Sequence, residues 1–218
     1  QGDIRASGSL LGKKNVNASG RRVDISGAQV AAGRTALAAR EGGVALRQST
    51  VDSGELAVST KGNVDAQQAK VKAGRWAVDA DNLFNQQATW SQTGDGESRF
   101  TLAGALDNSD GTIETQSLRL SAGQLVNQRG RLVALGETAQ HWRVGGLLDN
   151  GGGTMGSNAA LRLDAGRLDN QRGTIKTQAG LTLHVDGAVN NAGGNLLAGN
   201  GLALEAGSAL NKDRKSVV

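Results

Sequence analysis

Apolar side chains recur along the chain in very short alternating stretches, in which one polar or small residue separates two apolar ones. Glycine or asparagine interrupts the alternation after every few residues. This pattern predicts β-strands with one buried face, because stretches of about three residues are too short for helices. The clearest pairs are Trp76 with Val78, Phe100 with Leu102, Leu118 with Leu120, Trp142 with Val144, Leu161 with Leu163, Leu181 with Leu183, and Leu202 with Leu204.

An asparagine marks one position of this pattern and returns every 19 to 23 residues. An apolar residue stands two positions before each marker, and in five of six cases a glycine stands three positions after it. Because stacked asparagine amides hydrogen-bond along a column, we expect the markers to form a structural ladder. The marker asparagines are Asn85, Asn108, Asn127, Asn150, Asn170 and Asn191.

A period of about 20 residues with three short strands predicts an all-β fold: a right-handed parallel β-helix of about ten three-sided turns. Glycine is expected at the corners that require positive φ. In the first third of the chain the marker is missing, but Gly33, Gly54 and Gly74 keep the same period. We therefore predict a first repeat type over residues 1–80, a second over 81–211, and a tail at 212–218.

The composition of the 218 residues narrows the class of protein further. Cysteine is absent, so the fold uses no disulfide or thiolate metal site. No run of 18 apolar residues occurs, so no membrane-spanning helix is predicted. A net charge of +4 permits contact with polyanions but does not require it.

The positions of the few aromatic residues in the repeat predict which rings face inward. Trp76, Phe100 and Trp142 fall where leucine stands in other repeats, so we expect them in one inward column. Trp90 falls in line with isoleucines of later repeats, whereas Phe84 falls on an outward position. The inward rings either fill the core or form a platform on which sugars stack.

Two repeats carry longer insertions at the same place, with the sequences SQTGDGESR and VALGETAQH. We expect both to leave the rod at one corner, two turns apart. Loops on a regular scaffold often determine binding specificity. The alternative is that these two loops have no function. The candidate contact residues are Asp95, Glu97, Arg99, Glu137 and His141.

Candidate catalytic chemistry is limited to one column of acids, Asp107, Asp149 and Asp169, each directly before a marker. Asp149 and Asp169 would lie one turn apart, close to the carboxylate separation in retaining glycosidases. The alternative is a solvated outer face. His141 and His184 lie far apart in the predicted stack, and no metal-ligand, cofactor or nucleophile motif occurs. A non-enzymatic protein without a cofactor is therefore predicted.

The stretches LDNSDGTIETQSLRLSAGQLVNQRGRL and LDNQRGTIKTQAGLTLHVDGAVNNAGGNLLA resemble the haemagglutinin repeats of filamentous-haemagglutinin-like exoproteins, and the likeness covers essentially the whole chain. Those proteins are large bacterial adhesins exported by two-partner secretion, including contact-dependent growth inhibition effectors. The resemblance implies a shaft segment at the bacterial cell surface. Its implied partners are an outer-membrane secretion protein, flanking β-helix of the same chain, and a receptor or glycan on a target cell. Nucleic-acid binding and membrane insertion of this segment are not implied.

Two other functions stay open from the residues. A glycan- or heparin-binding module would use the corner loops or basic pairs such as Lys13–Lys14 and Arg21–Arg22. A β-helix enzyme that degrades polysaccharides would have the acid column as its only support.

Overall fold

The computed structural model describes residues 2–212, and every regular element in that range is a β-strand. The predicted tail therefore lies outside the described residues except for Lys212. The strands of the first part are β1 (Ile4–Arg5), β2 (Ser9–Gly20), β3 (Val23–Asp24), β4 (Gln29–Ala39), β5 (Val44–Ala45), β6 (Thr50–Thr60), β7 (Val64–Asp65) and β8 (Lys70–Ala80).

The strands of the middle part are shorter, since each turn is interrupted at more corners. They are β9 (Leu83–Phe84), β10 (Thr89–Gln92), β11 (Glu97–Leu102), β12 (Ala105–Asp107), β13 (Thr112–Thr115), β14 (Ser117–Ala122), β15 (Gln124–Val126) and β16 (Arg131–Ala134). The strands that follow are β17 (Gln140–Asp149), β18 (Thr154–Ser157), β19 (Leu161–Asp169), β20 (Thr174–Thr177), β21 (Gly180–Asn190), β22 (Asn195–Ala198) and β23 (Gly201–Leu210).

Every strand pairs in parallel with its equivalent in the neighbouring turn. For example, β4 pairs with β6 and β6 pairs with β8, so that Gln29, Thr50 and Lys70 lie in one column. The predicted parallel β-helix is confirmed: the strands stack as a solenoid of about ten turns of roughly 20 residues. With about 4.8 Å between paired strands, the stack is about 50 Å long.

Each turn is built from three strand segments, and the corner that the strand crosses without a break changes along the rod. In the first part, β6 bends at Gly54 and remains one strand. Later in the chain the break falls at this corner, between β16 and β17. Strand β17 begins at Gln140 and continues without a break through the corner after Val144, where its register with β19 shifts. Pairing continues through β8, β10 and β11, across the place where the repeat type changes.

The core consists of inward columns of aliphatic side chains, and the structure corrects one predicted column. Trp76 pairs with Leu56, whereas Phe100 pairs with Val78 and Leu120, and Trp142 pairs with Leu120. Trp76 therefore lies in a different column from Phe100 and Trp142.

The sequence pattern predicts Phe100 and Trp142 two positions out of register, because their turns lack an apolar residue at the position of Trp76. In the Trp76 column, the buried polar residues Ser98 and Gln140 replace leucine.

All three tryptophans and Phe100 are buried, with at most 1% of each residue exposed. Trp76, Trp90 and Phe100 form one cluster whose ring centroids are 5.3 to 5.9 Å apart. Trp90 lies in the column of Ile113, as predicted. Phe84, expected on the outside, is half-buried. The inward rings are core residues and offer no surface on which a sugar could stack.

Candidate contact site

The marker asparagines lie in one buried column, in which each amide Nδ2 donates to the Oδ1 of the marker in the next turn. The six bonds, from Asn85 through to Asn211, measure 2.7 to 2.8 Å. At the first end of the ladder, the Oδ1 of Asn85 is buried without a partner. The reason is that Ala66 holds the equivalent position in the preceding turn and has no amide to donate.

Five of the six markers are followed three residues later by a glycine, which is required by close packing rather than by positive φ. At Gly130, a Cβ would lie 2.6 Å from the Oδ1 of Asn127 and even closer to the backbone oxygen of Asn108. In the first repeat type, which lacks the asparagine, the same position is filled by Ala28, Ser49 or Ala69. Inside the ladder the marker amide therefore occupies the space that a Cβ would need, whereas Asn85 at the first end is followed by the buried Ala88.

The positive-φ position lies two residues after the marker, so the expectation that glycine fills these corners is wrong for most turns. Six side-chain-bearing residues adopt this conformation, at a cost of about 1 kcal/mol or more each. Bonds between turns hold them there, such as the ion pair of Arg129 with Asp110 at 2.7 Å. The six residues are Gln48, Gln68, Gln87, Asp110, Arg129 and Arg172.

The acid column stabilises the corner that leads into the ladder. Asp149 Oδ1 accepts the backbone N–H of Gly151 at 2.9 Å, and Asp169 Oδ1 accepts that of Gln171 at 3.0 Å. These bonds form Asx turns, which fix the backbone at the corner. The equivalent Asp24 is held ionised, since hydrogen bonds from Ser26 keep its pKa below the usual value. The carboxylates thus lie one turn apart, and each already has a structural role.

The two longer insertions leave the same corner, because they follow the equivalent strands β10 and β16 with one turn between them. Buried glutamines hold both loops. Gln92 donates to the backbone oxygens of Gly94, at 2.8 Å, and Gly96, and it accepts from the hydroxyl of Ser98 at 2.9 Å. Gln140 bonds to the backbone of Thr138 and accepts the N–H of Leu118 at 2.8 Å. The loops are therefore built as fixed features of the rod.

Only two of the five candidate contact residues lie in these loops. Asp95 and Glu137 are exposed loop residues, whereas Glu97 and Arg99 belong to β11 and His141 belongs to β17. The structure brings Arg99 and His141 together on the outer face of the sheet, on either side of Arg119. His141, placed in a loop by the sequence pattern, is a strand residue because the insertion ends earlier.

A groove of about 290 Å³ crosses this face, running over the turn that separates the two loops. Glu97 receives two hydrogen bonds from Arg119, at 3.0 and 3.4 Å, and His141 bonds to Asp164 at 2.5 Å. Partial burial raises the pKa of Asp164, but hydrogen bonds from His141 and Arg162 outweigh it and hold the pKa below its usual value. Arg119 and Arg143, which the sequence did not single out, contribute to the lining of the groove.

Within residues 2–212, no cluster of three or more metal-ligating side chains occurs. In the same range, none of the elements is a helix suited to crossing a membrane.

Comparison with known proteins gives one match. A family model described as the haemagglutinin repeat matches residues 1–68, 53–141, 118–193 and 180–216. No curated protein and no solved structure matches the chain.

Proposed function

Because the chain belongs to the haemagglutinin-repeat family, we propose that it is a non-enzymatic shaft segment of a large secreted adhesin or toxin-delivery filament exported by two-partner secretion. The family is associated with secreted surface adhesins, which agrees with a location outside the cell. The proposed partners are an outer-membrane secretion protein, flanking turns of β-helix, and a receptor on a target cell.

The observation that carries this proposal is the unbroken pairing of equivalent strands from one end of the described chain to the other. In such a stack each turn contacts mainly its two neighbours, so length is added without changing the rest of the fold. A chain of this kind can fold one turn after another as it emerges from a secretion pore, since each new turn finds its partner already in place. Reach and presentation are the functions that this geometry serves.

Removal of one whole turn tests the proposal. Deleting residues 150–169 joins Asp149 to Asn170, which restores the Leu-Asp-Asn sequence and the register of the stack. In the complete filament we expect normal export and a rod shorter by about 4.8 Å for each turn removed. Electron microscopy of a variant that lacks several whole turns measures this shortening. The matched control deletes residues 150–159, half a turn, and should block export. Equal export of both variants would contradict the proposal.

A second candidate function is a contact module at the corner loops, and one observation favours it. Gln140 occupies a core column that Leu161 fills in the next turn, so the second loop is fixed at the expense of apolar packing. Alanine substitution of the exposed loop residues Asp95 and Glu137 tests this function through adhesion of displayed filaments to target cells. Unchanged adhesion would leave the shaft as the only role.

A further inference from the structure

Of the two arginines that line the groove between the corner loops, Arg143 makes no ion pair within the described part of the chain. Along this face Arg75 pairs with Glu55, Arg119 with Glu97, and Arg162 with Asp164, each at 2.8 to 3.2 Å. Arg143 has no carboxylate within ion-pair distance among residues 2–212.

The guanidinium of Arg143 instead donates to Nδ1 of His141 at 3.0 Å. A guanidinium has no acceptor atom, so Nδ1 accepts and the imidazole proton stays on Nε2, which donates to Asp164. The oxygens of Asp164 bond to His141 and Arg162. Arg143 is therefore held in place by the imidazole and makes no ion pair of its own with residues 2–212, although Asp164 is its register partner in the next turn.

The groups around Arg143 supply the two kinds of hydrogen bond that a sugar acid needs. Arg143 and Arg119 provide planar donors that fit a carboxylate. Glu97, with 47% of its side chain exposed, offers carboxylate oxygens that accept from hydroxyl groups. Ser117 adds a hydroxyl that both donates and accepts. The volume of about 290 Å³ lies at the lower limit for a small-molecule site, which suits one sugar ring.

From this arrangement we infer that the groove binds a carboxylated sugar, with Arg143 taking the carboxylate and Glu97 and Ser117 taking ring hydroxyls. The ligand carboxylate displaces the imidazole as the acceptor for Arg143, because a charged acceptor forms the stronger bond. Glucuronic acid and N-acetylneuraminic acid share the required chemistry. This inference rests on the contact-module function of the loops and is independent of the shaft role.

An acidic peptide fits the groove less well. Peptide recognition generally relies on apolar or aromatic anchors, and the large apolar side chain of Leu118 is only 2% exposed here. The groove offers mainly polar groups, which match a ligand with several hydroxyls.

Isothermal titration of the intact chain tests the inference with four probes: glucuronic acid, N-acetylneuraminic acid, neutral glucose, and N-acetylglutamate. We expect at least one sugar acid to bind in the millimolar range or better, and both glucose and N-acetylglutamate to bind at least about ten-fold more weakly. The variant Arg143→Gln should lose about ten-fold or more in affinity, with partial recovery in Arg143→Lys. The matched control Arg99→Gln changes an exposed arginine on the same face, outside the groove, and should bind like the wild type.

Several results would overturn the inference. These are the absence of binding by both sugar acids, equal binding of glucose or N-acetylglutamate, and equal losses in Arg143→Gln and Arg99→Gln. Circular dichroism of each variant checks that the rod is intact. Normal export of the whole-turn deletion together with a negative titration would refute the sugar site and leave the shaft function standing.

Discussion

The asparagine ladder predicts that the same substitution has different costs at two of its positions. Asn127 lies inside the ladder: it accepts from Asn108 and donates to Asn150, both at 2.7 Å. Asn85 lies at the first end, where it makes one ladder bond and its Oδ1 is already buried without a partner. Leucine fits this position of the turn, as fully buried Leu46 shows in the first repeat type. Asn127→Leu and Asn85→Leu therefore change hydrogen bonding with little change in packing.

The magnitudes follow from the bonds that each change removes. Asn127→Leu removes two ladder bonds, each contributing about 1 kcal/mol net, together with two longer bonds from Nδ2 to the backbone oxygens of Gly130 and Thr154. It also leaves the Oδ1 of Asn150 buried and unpaired at about 1–3 kcal/mol. Burial of the leucine side chain offsets part of this cost, so the free energy of unfolding should fall by about 2–4 kcal/mol. Asn85→Leu removes one ladder bond and leaves the Oδ1 of Asn108 without a donor, but it also eliminates the unpaired Oδ1 of Asn85. Its stability should stay within about 1 kcal/mol of the wild type.

Urea denaturation measures the difference, with tryptophan fluorescence and circular dichroism followed together and the m-value compared across variants. An unchanged m-value ensures that the free energies refer to the same unfolding transition. Equal losses at the two positions, or a gain at Asn127, would refute the reasoning that the amide chain stabilises the second repeat type.

Three further predictions concern the turn, the loop and the pH dependence of stability. Gly130→Ala should lose about 2 kcal/mol in urea denaturation because its Cβ overlaps the marker amide, and no measurable loss would contradict the packing argument. Gln140→Leu should expose residues 135–139 to limited proteolysis, whereas Gln171→Leu on the exposed corner should not; equal cleavage would show that Gln140 does not hold the loop. Asp164 has a pKa held below its usual value, so its contribution is present above the unfolded pKa of about 3.9 and is lost as the pH falls through the lower folded pKa. Asp164→Asn should therefore cost about 1 kcal/mol at pH 7 in denaturation curves, and this cost should shrink as the pH falls below the unfolded pKa; a cost that is independent of pH would contradict the ion-pair origin.

The period and the strand pattern could be read from the sequence because the stack repeats one physical requirement in every turn. Each turn must bury the same column positions and bend at the same corners. The spacing of Leu106, Leu125 and Leu148 therefore predicts the stack by itself. Asparagine is visible for the same reason, since its amide needs a partner of the same kind one turn away.

The sequence pattern failed where a turn departs from that requirement. Ser98 and Gln140 are polar residues in an apolar column, so the nearest tryptophan or phenylalanine was assigned in their place. Their role is to bond to loop backbone, and no periodic pattern encodes such a bond. Glutamine or arginine at positive-φ corners was missed because cross-turn bonds, which depend on the next turn, offset an unfavourable local conformation.

The grouping of Arg119, His141 and Arg143 was also beyond the sequence pattern. These residues lie in neighbouring turns, and their proximity depends on how many residues each corner loop contains. The column error of two positions would have placed His141 in the loop and hidden the contact with Arg143.

Distances between spin labels test the stacking of the turns most directly. The chain has no cysteine, so pairs of cysteines can be introduced at positions of one outward column without interference. Thr50, Thr154 and Thr174 lie in that column, with Thr154 five turns and Thr174 six turns from Thr50. Pulsed electron resonance should give about 24 Å for Thr50→Cys with Thr154→Cys and about 29 Å for Thr50→Cys with Thr174→Cys, a step of one strand spacing. Distances that do not increase by this step would contradict the β-helical stack.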